Sequence, residues 1–139
     1  MLEESFRNST MKIVENCNYV LGSAEEEIYY LNPGQDWKVT AAGLAKEDRM
    51  IVARMGDKGS MIFTSKGEYE APACRVEVVD TVGAGDVYNG AFIACMLSGF
   101  GIEKTLKICN AVSGYTVHMK VPDRHRTEKH WNVYEREGR

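Results

Sequence analysis

The chain carries no surplus of positive charge: 17 Lys and Arg stand against 20 Asp and Glu, for a formal net charge of -3 and a pI near 5.6. That balance cannot neutralise a run of backbone phosphates, so no nucleic-acid partner is expected. A small anion such as a nucleotide is not excluded, because backbone amides bind one without net positive charge. No apolar run is long enough to span a bilayer, the longest being residues 91–97, and MLEESFRNST lacks the basic-then-apolar order of a leader. No membrane partner is therefore expected, and a cytoplasmic location is. The four cysteines, Cys17, Cys74, Cys95 and Cys109, form no C-x-x-C pair. This argues against structural zinc and a disulfide framework, and for reduced, mostly buried thiols. His118, His125 and His130 make no H-E-x-x-H motif and read as solvated, while Trp37 and Trp131 read as packing residues. There is no internal repeat.

What is present suffices for one globular domain: 139 residues, 44% hydrophobic and 27% charged, can bury a core without metal or disulfide staples. Residues 11–16 are helix-compatible, and NYVL at 18–21 reads as a strand ending at the turn signal Gly22-Ser23. An acidic helix is expected over 23–31, with Ser23 as its cap and Glu25, Glu26 and Glu27 at its positive end. A further helix is expected over 37–46. From Met50 onward, short β-prone runs flank GDKG at 56–59 and again Lys66-Gly67, which predicts strands and tight turns. RVEVV at 75–79 alternates as another extended segment. Two helices follow, over 86–98 and 102–119, the second with a broad apolar face. Beyond Pro122 the composition turns polar, so residues 1–122 are expected to form the domain and 123–139 a solvated tail. The expected class is α/β, with helices flanking one sheet.

The strongest chemical signal is DTVGAGD at 80–86, which joins an extended segment to a helix through two glycines and sets a carboxylate at the helix start. Gly83 and Gly85 permit close backbone approach, and the free amides of Gly83, Ala84, Gly85 and the first turn can cradle phosphate oxygens. The helix end supplies roughly half a positive charge toward a transferring phosphoryl group. Asp86 beside that anion could accept the proton of an attacking hydroxyl. A bare G-A-G-D is as well explained by a turn and a helix cap, since Asp is a preferred cap.

The longer run DTVGAGDVYNGAF resembles the signature of the ribokinase-like, or PfkB-type, carbohydrate kinases, close to D-T-x-G-A-G-D followed by a small-residue helix. Upstream, RMGDKGS at 54–60 resembles that family's strand and G-x-x-G turn, and EAPACRVEVVD resembles the strand leading into the signature. The resemblance covers roughly residues 11–120. It implies a ribokinase-like α/β fold and ATP-dependent phosphorylation of a sugar hydroxyl, with Asp86 as the catalytic base and the amides of Gly83, Ala84 and Gly85 as the anion hole. It further implies Gly56 and Gly59 beside the nucleotide, and Asn110 beside the purine. Asp80 and the Val82 carbonyl match positions that hold a monovalent cation such as potassium in some members.

The family's N-x-x-E element, which organises magnesium and phosphate, has a counterpart in SAEE at 23–26. Ser23 replaces the Asn and Glu26 supplies the carboxylate, with Glu25 and Glu27 as alternatives of register. Magnesium would arrive with ATP. The family's sugar-binding region has no counterpart here, so the sheet is expected to be truncated on its N-terminal side, leaving an open edge and self-association. The glycine-containing loop expected after the last helix reads Met119, Lys120, Val121, Pro122.

Two other nucleotide folds fit poorly. The third glycine of G-x-G-x-x-G would fall at Tyr88, and GDKGS lacks the spacing of a P-loop. A non-catalytic nucleotide-binding or interaction fragment of the same fold is the alternative reading.

Overall fold

The computed structural model describes residues 2–77 and 81–118. In chain order these form α1 (Leu2–Glu15), β1 (Tyr19–Ser23), a π-helical turn (Ala24–Ile28), a 3-10 turn (Tyr29–Leu31), α2 (Trp37–Leu44), β2 (Met50–Arg54), a 3-10 turn (Gly56–Lys58), β3 (Ser60–Thr64), β4 (Gly67–Ala71), α3 (Ala84–Leu97) and α4 (Ile102–His118). The strands make one sheet in the order β1-β2-β3-β4, with β1 parallel to β2 and the other pairs antiparallel.

Period-2 side-chain alternation puts β2 and β3 between two apolar layers. Ile51, Ala53, Met61 and Phe63 face the π turn and α2, where Ala24, Ile28 and Ala41 close the layer. Val52 and Ile62 face the opposite side and pack with Tyr88 and Phe92 of α3 and Leu106 and Cys109 of α4. The result is the expected α/β architecture.

Several expected boundaries shift for identifiable reasons. Helix α1 starts at Leu2, well before residue 11, because Ser9 and Thr10 bond back to the carbonyls of Ser5 (3.0 Å) and Phe6 (2.9 Å) without breaking it. Strand β1 runs through Gly22 to Ser23, paired with Ala53 and Arg54, so Gly22 is no turn. A Cβ at Gly22 would lie 2.7 Å from Glu27 Oε2: the glycine leaves room for a carboxylate. The acidic segment, expected as one helix, is a π turn followed by a 3-10 turn, capped by Ser23 as anticipated.

Residues 75–77 form no strand, and residues 78–80 lie outside the described residues. After β4 the chain crosses α4 instead, with Cys74 Cβ only 3.2 Å from where a Cβ on Gly114 would stand. Helix α2 ends at Leu44, two residues short of expectation, where buried Arg49 donates to the carbonyls of Leu44 (3.2 Å), Glu15 (2.7 Å) and Cys17 (3.3 Å). One guanidinium thus caps the C-terminal ends of α1 and α2, where carbonyl dipoles favour a cation. Of the four free cysteines only Cys95 and Cys109 are buried; Cys74 is exposed and Cys17 half-buried, so "mostly buried" held for two. The expected tail and the 119–122 loop lie outside the described residues.

Gly59 has φ +99, and a Cβ there would collide with the Ala71 carbonyl and stand 2.7 Å from Ala73 N. Gly56 also has positive φ, at +60, but faces open space. The pair separates backbone strain from steric collision. Gly56→Ala should cost about 1 kcal/mol of stability, the left-handed penalty alone, whereas Gly59→Ala should cost about 2–4 kcal/mol because rigid backbone must also move. Urea denaturation of the two variants checks the ordering.

Candidate active site

The glycine loop is built by one backbone conformation. Gly83 sits at φ 80, ψ -4 and is the N-cap of α3, so the helix opens at Ala84 and not at Asp86. The first helical bond runs from Val87 N to the Gly83 carbonyl at 3.0 Å. Asp86 is therefore the third residue of the helix, exposed, and not its cap. The opening turn leaves the amides of Gly85 and Asp86 without intrahelical partners, while Ala84 N donates to the Thr81 carbonyl at 3.3 Å. Of the amides expected in an anion hole, that of Ala84 is thus already engaged in the turn. Asp80 lies outside the described residues. Val82 is exposed in the turn that precedes α3.

On the far side of Gly85 stands Arg54, the last residue of β2. A Cβ on Gly85 would collide with Arg54 Nη1. Arg54 Nη2 pairs with Glu27 Oε2 at 3.4 Å, and the same oxygen accepts the Ser23 amide at 2.7 Å. The Ser23 hydroxyl accepts Glu26 N at 3.4 Å. The carboxylate that meets the glycine loop through Arg54 is therefore that of Glu27. Glu26, exposed, and Glu27 also line a cleft of about 640 Å³ between α1 and the acidic turn, whose other walls include Arg7 and Tyr30. Sequence reasoning passed over Arg54; the signal available was a lone cation closing the apolar strand MIVAR.

Among the described residues no three His, Cys, Asp or Glu side chains converge on a metal-sized site. The described residues do not fit an ion held by the protein alone.

Gly56 and Gly59 bound the 3-10 turn between β2 and β3. Asn110 does not project into open space. It is buried, its Oδ1 accepting Ser60 Oγ at 2.8 Å and its Nδ2 donating to the carbonyls of Ala71 (3.0 Å) and Pro72 (3.1 Å). Ser60 Oγ in turn accepts Tyr88 Oη at 2.6 Å. A second contact, from Ser113 Oγ to the Ala84 carbonyl at 3.3 Å, ties α4 to the opening turn of α3.

The family model for pfkB family carbohydrate kinases matches residues 2–122. The chain belongs to the PfkB family. Curated relatives include an ATP-dependent ribose-1-phosphate kinase of Halopiger xanaduensis, 36% identical over 70 residues, which are 50% of this chain and 24% of the relative. A 5-dehydro-2-deoxygluconokinase of Halalkalibacterium halodurans is 35% identical over 109 residues, 76% of this chain and 33% of the relative. Among solved structures, a ribokinase II from E. coli in complex with ATP and Mg2+ superposes with a TM-score of 0.76 at 26% identity, covering 86% of this chain and 39% of that one. The aminoimidazole riboside kinase of Salmonella enterica, at 22% identity and TM-score 0.72, covers 85% of this chain and 41% of that one, and shares the fold. This PfkB chain spans a third or less of the length of the curated relatives it matches. None of its described helices is long and apolar enough to cross a membrane.

The buried network around Asn110 gives this PfkB fold a pH signature. Burial pushes the Tyr88 phenol from 10.0 up to about 12, and burial pushes the Cys109 thiol from 9.0 up to about 12. Both shifts favour the protonated form in the fold, so their stabilisation is fully present below the unfolded values and is lost as pH rises through the folded ones. The urea midpoint should fall between about pH 9 and pH 12, and Tyr88→Phe, which lacks the phenol, should show a shallower fall over the upper part of that window.

Proposed function

We propose that this chain is the nucleotide-binding, catalytic part of an ATP-dependent kinase that phosphorylates a hydroxyl of a sugar or sugar-like substrate. The observation that carries the reading is the left-handed Gly83, which opens α3 so that the Gly85 and Asp86 amides are available and Asp86 is exposed in the first turn. Phosphate oxygens would rest on the amides of Gly83, Ala84 and Gly85, where the helix end offsets their charge. For Ala84 this requires the amide to exchange the Thr81 carbonyl for phosphate or to share it. Asp86 would accept the acceptor proton as the oxygen attacks the γ-phosphorus, the bond from that phosphorus to the leaving β-γ bridging oxygen breaking as ADP departs.

Gly56 and Gly59 would border the nucleotide. Asn110 would hold the purine wall in place through its bonds to Ser60, Ala71 and Pro72. Glu26 would reach magnesium through water, the metal's role being to neutralise phosphate charge. Asp80 and the Val82 carbonyl would serve a monovalent cation such as potassium. The setting would be cytoplasmic, with residues 1–122 as the working unit and 123–139 as a tail. A non-catalytic nucleotide-binding or interaction fragment of the same fold is the second reading. ATP binding without transfer, measured with the remaining kinase portion supplied, would select it.

The test of the base uses a full-length kinase polypeptide or the remaining portion supplied in trans. Asp86→Asn should keep nucleotide affinity while lowering single-turnover transfer by about 10² to 10⁴. Transfer at the parent rate would make Asp86 dispensable and reject the assignment.

The sheet edge supports self-association of the chain alone. Among the described residues nothing pairs with the outer side of β1, and Tyr19 (50% exposed) lies near α3, whose Ile93 and Leu97 (85% exposed) face outward. Unpaired strand edges beside apolar surface recruit further chains. Sedimentation should show oligomers growing with concentration, and Leu97→Lys should reduce them; a monomer at all concentrations would remove this inference.

A further inference from the structure

We infer that Arg54 grips the phosphoryl group being transferred, with Glu27 holding the guanidinium in position. The inference rests on the kinase reading and deepens it at the same site. Arg54 is placed by β2, a strand buried between both layers, and its side chain is 22% exposed. Its Nη1 occupies the space a Cβ of Gly85 would fill, directly against the opening turn of α3 and one residue from Asp86. Gly22 is bare for a related reason, since a Cβ there would crowd the Glu27 carboxylate that orients Arg54. Two glycines thus clear space for one charged pair.

As a stabilising device that pair makes little sense. Glu27 is 60% exposed and the contact is 3.4 Å long, an arrangement that contributes little in water. Meanwhile Arg54 Nε is buried with no hydrogen-bond partner, a cost that a weak exposed ion pair does not offset. A guanidinium held with donors to spare beside a helix opening is suited to an oxyanion, because its planar fork matches phosphate oxygens. Adjacency to Gly85, the residue before the proposed base, selects the terminal phosphoryl group. The α- and β-phosphates lie farther from the acceptor in any in-line transfer. Arg54 would then discriminate ATP from ADP.

Calorimetric affinities for ATP, ADP and adenosine, measured with magnesium on the parent chain and on Arg54→Met, test this. The variant should bind ATP about tenfold to a hundredfold more weakly, the effect of one lost charge-assisted contact, and ADP less than about threefold more weakly. Adenosine affinity should be unchanged, which also certifies the fold. If Met at this position unfolds the chain, Arg54→Gln, which keeps a polar contact to Glu27, carries the same comparison. Equal losses for ATP and ADP, or undiminished ATP affinity, would overturn the role of Arg54 and leave the kinase reading standing. A parent chain that binds none of the three would overturn the kinase reading, and this inference with it.

Discussion

The hydrogen-bonded chain from Tyr88 through Ser60 to Asn110 is the constraint on which the site depends. It joins α3, β3 and α4 in the middle of an apolar layer and ends on two carbonyls where β4 gives out. Each member is buried, so a break would strand polar groups away from water. Apolar contacts alone would allow α3 and α4 to slide on the sheet; directional bonds permit one register. That register sets where α3 begins relative to the ends of β2 and β3, and so where the glycine loop stands.

Close approach is the second organising feature. Gly59 lets the chain leaving β4 press against the turn before β3, Gly22 admits the Glu27 carboxylate, and Gly85 admits the Arg54 guanidinium. Around the site, Gly56, Gly59 and Gly83 also have the positive φ that glycine tolerates. The glycines of this chain therefore divide by purpose, some shaping the backbone and others leaving a void for a particular side chain. In the signature itself both uses occur two residues apart, at Gly83 and Gly85.

Charge is handled differently at the two ends of the sheet. Arg49 is buried against three carbonyls at helix C-termini, where every contact is to the protein and the role is architectural. Arg54, five residues on and closing the strand that Arg49 precedes, meets one long-range carboxylate and a helix N-terminus. The same side chain type thus closes one end of the fold and leaves the other chemically open. The phosphate contact proposed for Arg54, at the C-terminal end of β2, would fit the general placement of ligands in open α/β sheets.

The class and the family were legible in the sequence alone. DTVGAGD carries its own turn and helix start, and the β-prone runs on either side of GDKG and Lys66-Gly67, bounded by turn signals, declare β2, β3 and β4. Local signals were also enough for the Ser23 cap. They were not enough for the start of α1, for Gly22, or for residues 75–77, because helix continuation through Ser9 and Thr10, strand pairing with β2 and packing on α4 are settled by partners distant in sequence. The site divides along the same line. Asp86 and the glycines are contiguous, whereas Arg54 and Glu27 are 27 positions apart and meet only when β1 and β2 pair in parallel. Asn110 was expected beside the purine from the family resemblance, but that both ends of its amide turn inward was decided by the fold, since its partners lie on β3 and at the end of β4.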